Sequence, residues 1–414
     1  MNLNYNYIIK LLKSAIHSEP APEPGHAVDW DNVYETARAH GIAAIIYSTV
    51  DKLPAKIKPS SDLLDKWKNS TFLVANKQLT ALSSLSSFLK KSSAAGIQLI
   101  IFKGLVLAEL YTEPLTRSSG DIDLLINEND EALLFKVLND LGCGDVEIPS
   151  DARHEHTYLL GNGVKYEVHK RLWEERIDGA KYKILSDMDL IETDSLIKQR
   201  SMGIEFFTLG RYQHFIYMLY HSVKHFIVNG IGIRFLVDLT LYFNAYMNEI
   251  NGKRFWDDIE KLGYKSFCEC IFSLCIKYFN MNPAIYPEYA SHSDESEQML
   301  LEDIWEGGMF GKYNATRELS GRILRHYYEN DKKKPPKTKI KLIIAMLFPK
   351  GSELNRIDFI ELSKNKVVAW FQRAKYLLAR RNYRIKAGLP NCSMKDRIDC
   401  SMKRIKMLER IDLL

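Results

Sequence analysis

Two aspartates separated by one apolar residue, Asp121-Ile122-Asp123, stand at the head of a short apolar run, Leu124-Leu125-Ile126, and constrain this chain more than any other feature. The run predicts a buried strand, and on a strand residues i and i+2 point to one face. Both carboxylates therefore project from the same side at nearly the same height. Like charges held that close repel each other. A hard divalent cation such as Mg²⁺ relieves the repulsion and leaves room for waters and phosphate oxygens.

The flanking residues agree. Residues 97–102 (IQLIIF) predict a short buried strand of β-branched and aromatic residues. Lys103-Gly104 follows, and residues 105–111 predict a helical turn or two. A strand, a glycine and a helix N-terminus together make an anion cradle. Lys103 adds a point charge there, and Arg117 a planar donor just before the aspartates. Ser118-Ser119-Gly120 predicts a flexible hinge that lets the backbone approach a ligand closely. Residues 164–169 (VKYEVH) alternate, with Glu167 and His169 on one face. If that strand pairs beside the aspartate strand, Glu167 completes a three-carboxylate cluster. A plainer reading stands beside each of these. An isolated Asp-x-Asp is often a solvated edge or a turn cap, an exposed strand glutamate needs no special explanation, Lys103 can simply end a strand at the surface, and Arg117 can pair with the aspartates when no ligand is bound.

These residues resemble the polymerase-β-type nucleotidyltransferase fold, and in particular its bacterial branch of uncharacterised nucleotidyltransferases. That branch carries a Lys-Gly turn, a tyrosine, an arginine, Asp-Ile-Asp-Leu-Leu, and an acid-x-His pair before a basic-Leu-Trp sequence. The matching residues here are Lys103-Gly104, Tyr111, Arg117, Asp121-Ile122-Asp123-Leu124-Leu125 and Glu167-Val168-His169-Lys170-Arg171-Leu172-Trp173. The strongest match covers residues 97–173, with weaker echoes at His221, His225, Arg234, Asp238 and Leu347-Phe348-Pro349. Abortive-infection-type toxins share the Lys-Gly to Asp-Ile-Asp layout. In two respects the chain departs from the wider fold. Its Gly-Ser turn is replaced by Lys103-Gly104, and its third acid is Glu167 rather than an aspartate.

The resemblance implies an α+β fold, with a polymerase-β-like mixed-sheet domain flanked by N-terminal and C-terminal helical regions. It implies Asp121, Asp123 and Glu167 as catalytic residues and as ligands of Mg²⁺ or Mn²⁺. A nucleoside triphosphate, ATP by default, would be the co-substrate, and an acceptor hydroxyl, of a small molecule, peptide, sugar, protein or RNA end, would receive the nucleoside monophosphate with release of pyrophosphate. Lys103, Gly104, Arg117, Ser118 and His169 are implied as phosphate or nucleotide contacts. A helical domain would close over the nucleotide with His221, His225, Arg234 and Asp238 lining the cleft.

Organisation follows from periodicity. Residues 1–95 predict a helical region, with apolar i, i+3, i+4 spacing over 11–16, 33–50 and 63–89, the first two broken apart by Pro20, Pro22 and Pro24. Residues 96–207 predict the mixed α/β domain that holds the site, including a helix over 131–141 ended at Gly142. Residues 208–330 predict the closing helical domain, and 331–337 (DKKKPPK) a loop into a basic helical C-terminal region, 331–414. That last region carries 22 Lys and Arg against 8 Asp and Glu, whereas the whole chain is only +5. With Trp370, Phe371, Tyr376 and Tyr383 interleaved, it suits nucleic acid, an anionic membrane surface or a charged substrate, or else packs its apolar stripe on the domain.

His214, His221 and His225 form a second cluster. His221 and His225 lie four apart on a helix, a spacing that can bind zinc, but no glutamate of the His-Glu-x-x-His kind lies between them and hydrogen bonding between helices is the favoured reading. His154 and His156 precede Glu167 on a strand and face either the site or the protein. No apolar run approaches the roughly 20 residues that span a bilayer. The N-terminus has no signal-peptide pattern, and the six cysteines form no CxxC pair. These point to the cytoplasm, with Cys268, Cys270 and Cys275 as filler on an apolar helix. Three other functional classes stay open: a toxin-like transferase acting on tRNA ends, a non-catalytic nucleotide-binding protein of the same fold, and a peripheral membrane protein.

Overall fold

The computed structural model describes residues 3–143, 155–173, 180–188, 196–287, 290, 292–309, 317, 321, 324, 336, 338–347, 365–386 and 393–414. Its first part is helical: α1 (Leu3–His17), α2 (Trp30–Ala39), α3 (Ala43–Asp51) and α4 (Ser61–Ala94). The apolar stripe expected as one helix over 33–50 is two. Gly41, at φ +66°, turns the chain between α2 and α3, a backbone conformation that disfavours a side chain. Asp29 and Ser60 cap α2 and α4 by accepting the N–H groups of Asn32 and Leu63.

The middle of the chain builds β1 (Ile100–Phe102), α5 (Gly104–Ala108), β2 (Ile122–Leu125), α6 (Glu131–Asn139), β3 (Glu155–Leu159), β4 (Lys165–His169), α7 (Ala180–Asp187), β5 (Ile197–Ser201) and β6 (Ile204–Thr208). The strands form one mixed sheet in the order β3-β4-β2-β1-β6-β5. Pairs β2–β4 and β1–β6 are parallel and the others antiparallel. The rest is helical again: α8 (Arg211–Val228), α9 (Arg234–Tyr246), α10 (Gly252–Lys261), α11 (Lys265–Phe279), α12 (Asp294–Gly307), α13 (Lys339–Leu347), α14 (Lys366–Lys386) and α15 (Met394–Arg410). The observed class is thus α+β with helical regions on both sides of a six-stranded sheet.

Each face of the sheet has its own helical cover. On one face α4 supplies Phe88, 4.8 Å from the Tyr166 ring, and Ser84, whose hydroxyl accepts from the Tyr166 hydroxyl at 2.9 Å. On the other, Tyr217 of α8 meets Phe102 edge-on at 5.1 Å. The boundary expected near residue 95 therefore falls between the sheet and the helix that backs it. The first helices pack elsewhere. Tyr5 stacks on Trp305 at 4.5 Å, and the His17 ring meets the carbonyl of Phe279 at 2.9 Å. One hydrophobic core runs through all of these layers, from Tyr7 to Leu413.

The C-terminal region is anchored through α15. Arg404, 1% exposed, pairs with Asp303 at 3.2 Å and donates to the carbonyls of Phe226 and Ile227 at the end of α8. A guanidinium there meets the negative end of the helix dipole. Phe371 is 74% exposed, and Val367 and Leu378 are exposed with it. Cys268, Cys270 and Cys275 are buried thiols on α11, in the filler role expected. Residues 331–335, Phe348, Pro349 and His154 lie outside the described residues.

Candidate active site

Strand register places the acids. On the parallel pair β2–β4, Asp123 stands beside Glu167 and Leu125 beside His169. Because side chains alternate, Glu167 and His169 share the face of Asp123. One ligand atom from each of Asp123, Glu167 and His169 comes within 4.8 Å of the others. Among the described residues this group alone brings three such donors together. His169 Nε2 lies 3.4 Å from Asp123 Oδ1, and its ring rests edge-on against Phe102 at 5.2 Å. Asp121 sits just before β2, outside this group, where Lys165 holds its Oδ2 at 3.4 Å. Of the expected set Asp121, Asp123 and Glu167, the structure groups Asp123 and Glu167 with His169 and leaves Asp121 beside Lys165. His156, by its register with Val168, faces the other side of the sheet, where it approaches Glu131 at 3.4 Å.

Lys103 closes the floor of the site. Its ammonium lies 2.7 Å from Asp123 Oδ1, with the Tyr217 and Phe102 rings each 5.3 Å away. Burial alone lowers a lysine pKa, but here the carboxylates of Asp123 and Glu167 outweigh it and raise the ammonium above its ordinary value. Burial likewise lifts Asp123, yet Lys103 and His169 hold its carboxyl well below the usual carboxylate range. Lys103 adopts φ +58° and ψ −116°, a strained backbone for a residue with a side chain. Its N–H donates to His214 Nε2 at 3.0 Å. His214 is fully buried, and burial first, then Arg211 and Lys103, push its pKa down to about 3. The neutral ring therefore accepts at Nε2. This bond uses the amide that the anion-cradle reading would have turned toward a ligand.

The turn after α5 is pinned rather than hinged. Arg234 donates to the Ser118 carbonyl at 2.7 Å and to its hydroxyl at 2.9 Å, Gln78 reaches the Ser119 carbonyl, and the Ser119 hydroxyl donates to the Asp121 carbonyl at 2.8 Å. Gly104 is the glycine the turn requires, because a Cβ there would come within 2.5 Å of the Ser119 hydroxyl. Gly120 has open space around it.

Arg117 corrects a further expectation. Neither the two aspartates nor an open cleft receives it. Its guanidinium, 5% exposed, grips Asp238 of α9 at 2.7 and 2.8 Å and donates to the Gly104 carbonyl at 3.1 Å. The Tyr111 hydroxyl joins Asp238 at 2.7 Å and Arg234 approaches it at 4.0 Å. Asp238, held below the usual carboxylate range by Arg117 against the effect of burial, is therefore the knot that ties α9 to the Lys103–Asp123 segment. Arg234 and Asp238, expected in the cleft lining, act here on the loop that carries Ser118.

His221 and His225 occupy the face of α8 that carries Tyr217. The rings of His221 and His225 are 4.3 Å apart, and that of His221 is stacked 5.8 Å from Tyr217. Burial first, then Lys103 and His225, keep His221 well below its ordinary pKa, so it is neutral beside the site. No third donor joins these two histidines into a zinc cluster among the described residues. The basic-Leu-Trp sequence latches the far edge. Lys170 pairs with Glu131 at 3.0 Å, Arg171 with Glu128 at 3.1 Å, and Trp173 meets Tyr220 edge-on at 4.7 Å. Sequence reasoning missed the parts played by Lys165, His214 and Tyr217. The available signal was the helical spacing 214, 217, 221, 225 and the i−2 relation of Lys165 to Glu167.

A family model described as uncharacterised nucleotidyltransferase matches residues 26–280, well over half of the chain. No curated protein matches, and no solved structure matches.

Proposed function

This chain belongs to the uncharacterised nucleotidyltransferase family, and we propose that it moves a nucleoside monophosphate from a nucleoside triphosphate to an acceptor hydroxyl, in the cytoplasm and on a polymerase-β-like fold. The observation that carries this reading is the side-by-side placement of Asp123 and Glu167 on parallel strands, with the Lys103 ammonium on the same carboxylate. The donor set fits a divalent ion, Mg²⁺ or Mn²⁺, and Lys103 already rests where a cation is wanted. Such an ion, when bound, neutralises triphosphate charge and aligns attacking and leaving oxygens.

The chain's own residues do the rest. Asp123 and Glu167 would hold the ion, with Asp121 at its margin beside Lys165. Lys103 turns from Asp123 toward the phosphates as a point charge. Glu167 accepts the proton of the acceptor hydroxyl. Gly104 lets the backbone pass close under Ser119, and the Arg117–Asp238–Arg234 knot fixes Ser118 and the approach to β2. His221 and His225 face the bound nucleotide from α8. ATP is the first nucleotide to try.

A second reading, transfer to an RNA end, is favoured by α14, which carries several Lys and Arg and no Asp or Glu and exposes Val367, Phe371 and Leu378. RNA binding that weakens steeply with salt would support it.

The test is incubation with each nucleoside triphosphate labelled at its α-phosphate, with Mg²⁺ or Mn²⁺, and with total RNA or cell extract as acceptor source. The Asp123→Asn and Asp121→Ala/Asp123→Ala variants run alongside. Label transferred by the native protein and lost in folded variants supports the reading. No transfer, with no metal-dependent nucleotide binding by calorimetry, overturns it and favours a non-catalytic binding role.

A further inference from the structure

We propose that the metal centre is completed by a nitrogen ligand, His169, and that it therefore selects a first-row transition divalent ion over Mg²⁺. This rests on the metal-dependent reading above and goes beyond it by naming the ligand set and the ion class. Three observations carry it. First, the register of β2 with β4 brings Asp123, Glu167 and His169 donors within 4.8 Å of one another. Two atoms bound to one ion at about 2.0–2.2 Å can be at most about 4.4 Å apart, so small side-chain adjustments close the set around a metal.

Second, the imidazole is held for the task. His169 is 2% exposed, its Nε2 already lies 3.4 Å from Asp123 Oδ1, and the Phe102 ring abuts it at 5.2 Å. Third, Asp121, the ligand that an all-oxygen centre would need, lies outside the group and is partnered by Lys165 at 3.4 Å. Imidazole nitrogen suits first-row transition ions such as Fe²⁺, Ni²⁺, Cu²⁺ and Zn²⁺, with Mn²⁺ the weakest binder of that row and here the paramagnetic probe, whereas Mg²⁺ takes oxygen ligands in near-ideal octahedral geometry and dehydrates reluctantly. A nitrogen in a three-residue set therefore biases the centre away from Mg²⁺.

The experiment is pulsed paramagnetic resonance on the full chain loaded with Mn²⁺, read for nitrogen hyperfine coupling, together with calorimetric affinities for Mn²⁺ and Mg²⁺. His169→Asp and His169→Asn are compared with His221→Gln and Asp121→Asn, each checked for folding by circular dichroism. The expected result is nitrogen coupling in the native protein that disappears in both His169 variants and persists in the other two. The preference for Mn²⁺ over Mg²⁺ should fall about tenfold or more in His169→Asp, the scale on which ligand surroundings tune metal affinity. Bound Mn²⁺ without nitrogen coupling overturns the proposal and assigns an all-oxygen centre, most directly if Asp121→Asn is the variant that loses the ion. Coupling that vanishes in His221→Gln and survives in the His169 variants overturns it too. If the native protein binds neither ion, with or without ATP, the metal-dependent reading itself fails along with this one.

Discussion

Asp238→Asn is the substitution with the most to say about how this protein is held together. Asp238 is buried, and it meets the Arg117 guanidinium with two hydrogen bonds of 2.7 and 2.8 Å and the Tyr111 hydroxyl with a third of 2.7 Å. Neutralising it leaves Arg117, 5% exposed, as a buried charge whose compensation is gone. Removing one partner of a buried, hydrogen-bonded pair costs about 3–5 kcal/mol, far more than the net worth of the pair itself. Whole domains are stable by about 5–15 kcal/mol, so this single change consumes a large share. In urea, at a slope of about 3 kcal/mol per molar, the unfolding midpoint should fall by about 1–1.7 M.

Two further variants sharpen the test. Arg117→Met should cost a similar amount, because it strands the carboxylate instead. Arg117→Met with Asp238→Leu should recover most of the loss, giving a coupling of about 3 kcal/mol in the double-mutant cycle. The pH dependence follows from the depressed carboxyl pKa of Asp238. Its contribution is present above the unfolded carboxyl value, about 3.9, and is lost only as pH falls below that. Single variants that each cost under about 1 kcal/mol, or costs that simply add, would refute the reasoning, since either result means the pair is solvated and not a knot.

Two other outcomes are expected. Burial holds the pKa of His40 down to about 4 and that of His214 down to about 3, so the unfolded chain takes up protons first; stability should be complete above about pH 6.5 and fall as pH drops from there toward those values, by up to about 4 kcal/mol at pH 5. Urea midpoints that stay level between about pH 7 and pH 5 would contradict this. Arg404→Met should lower the unfolding midpoint by an amount equivalent to about 2–4 kcal/mol, because it frees two carbonyls at the end of α8 and removes one of the two arginines on Asp303; a change within about 0.5 kcal/mol, as at an ordinary surface site, would show that α15 does not cap α8.

What the chain's sequence determined by itself is local. A period of two puts Glu167 and His169 on one face of a strand, and the apolar run after Asp123 makes β2 a buried strand, so the chemistry of the site is legible in the order of the residues. The helical periods of α4 and α8 are equally legible, because burying one stripe of a helix leaves a repeating mark. Where the reading failed locally, it failed at turns. Gly41 divides an unbroken apolar stripe because a positive φ ends a helix whatever its pattern, and Lys103 takes a strained φ that no rule of residue preference would assign to it.

Only the tertiary structure decided which charges meet. Arg117 and Asp238 are 121 residues apart, and Lys103 and His214 are 111 apart. Periodicity says which face of an element is apolar, but not which helix will cover which strand. Three basic groups, Lys103, Lys165 and Arg117, all stand within reach of the aspartates when only their places along the chain are known. Packing sent Lys103 to Asp123 and Arg117 away to Asp238, since each buried charge must find a partner within a few ångströms and only the folded layers settle who is there, and it left Lys165 to the half-exposed Asp121. The same layers set His169, and not Asp121, beside Asp123 and Glu167.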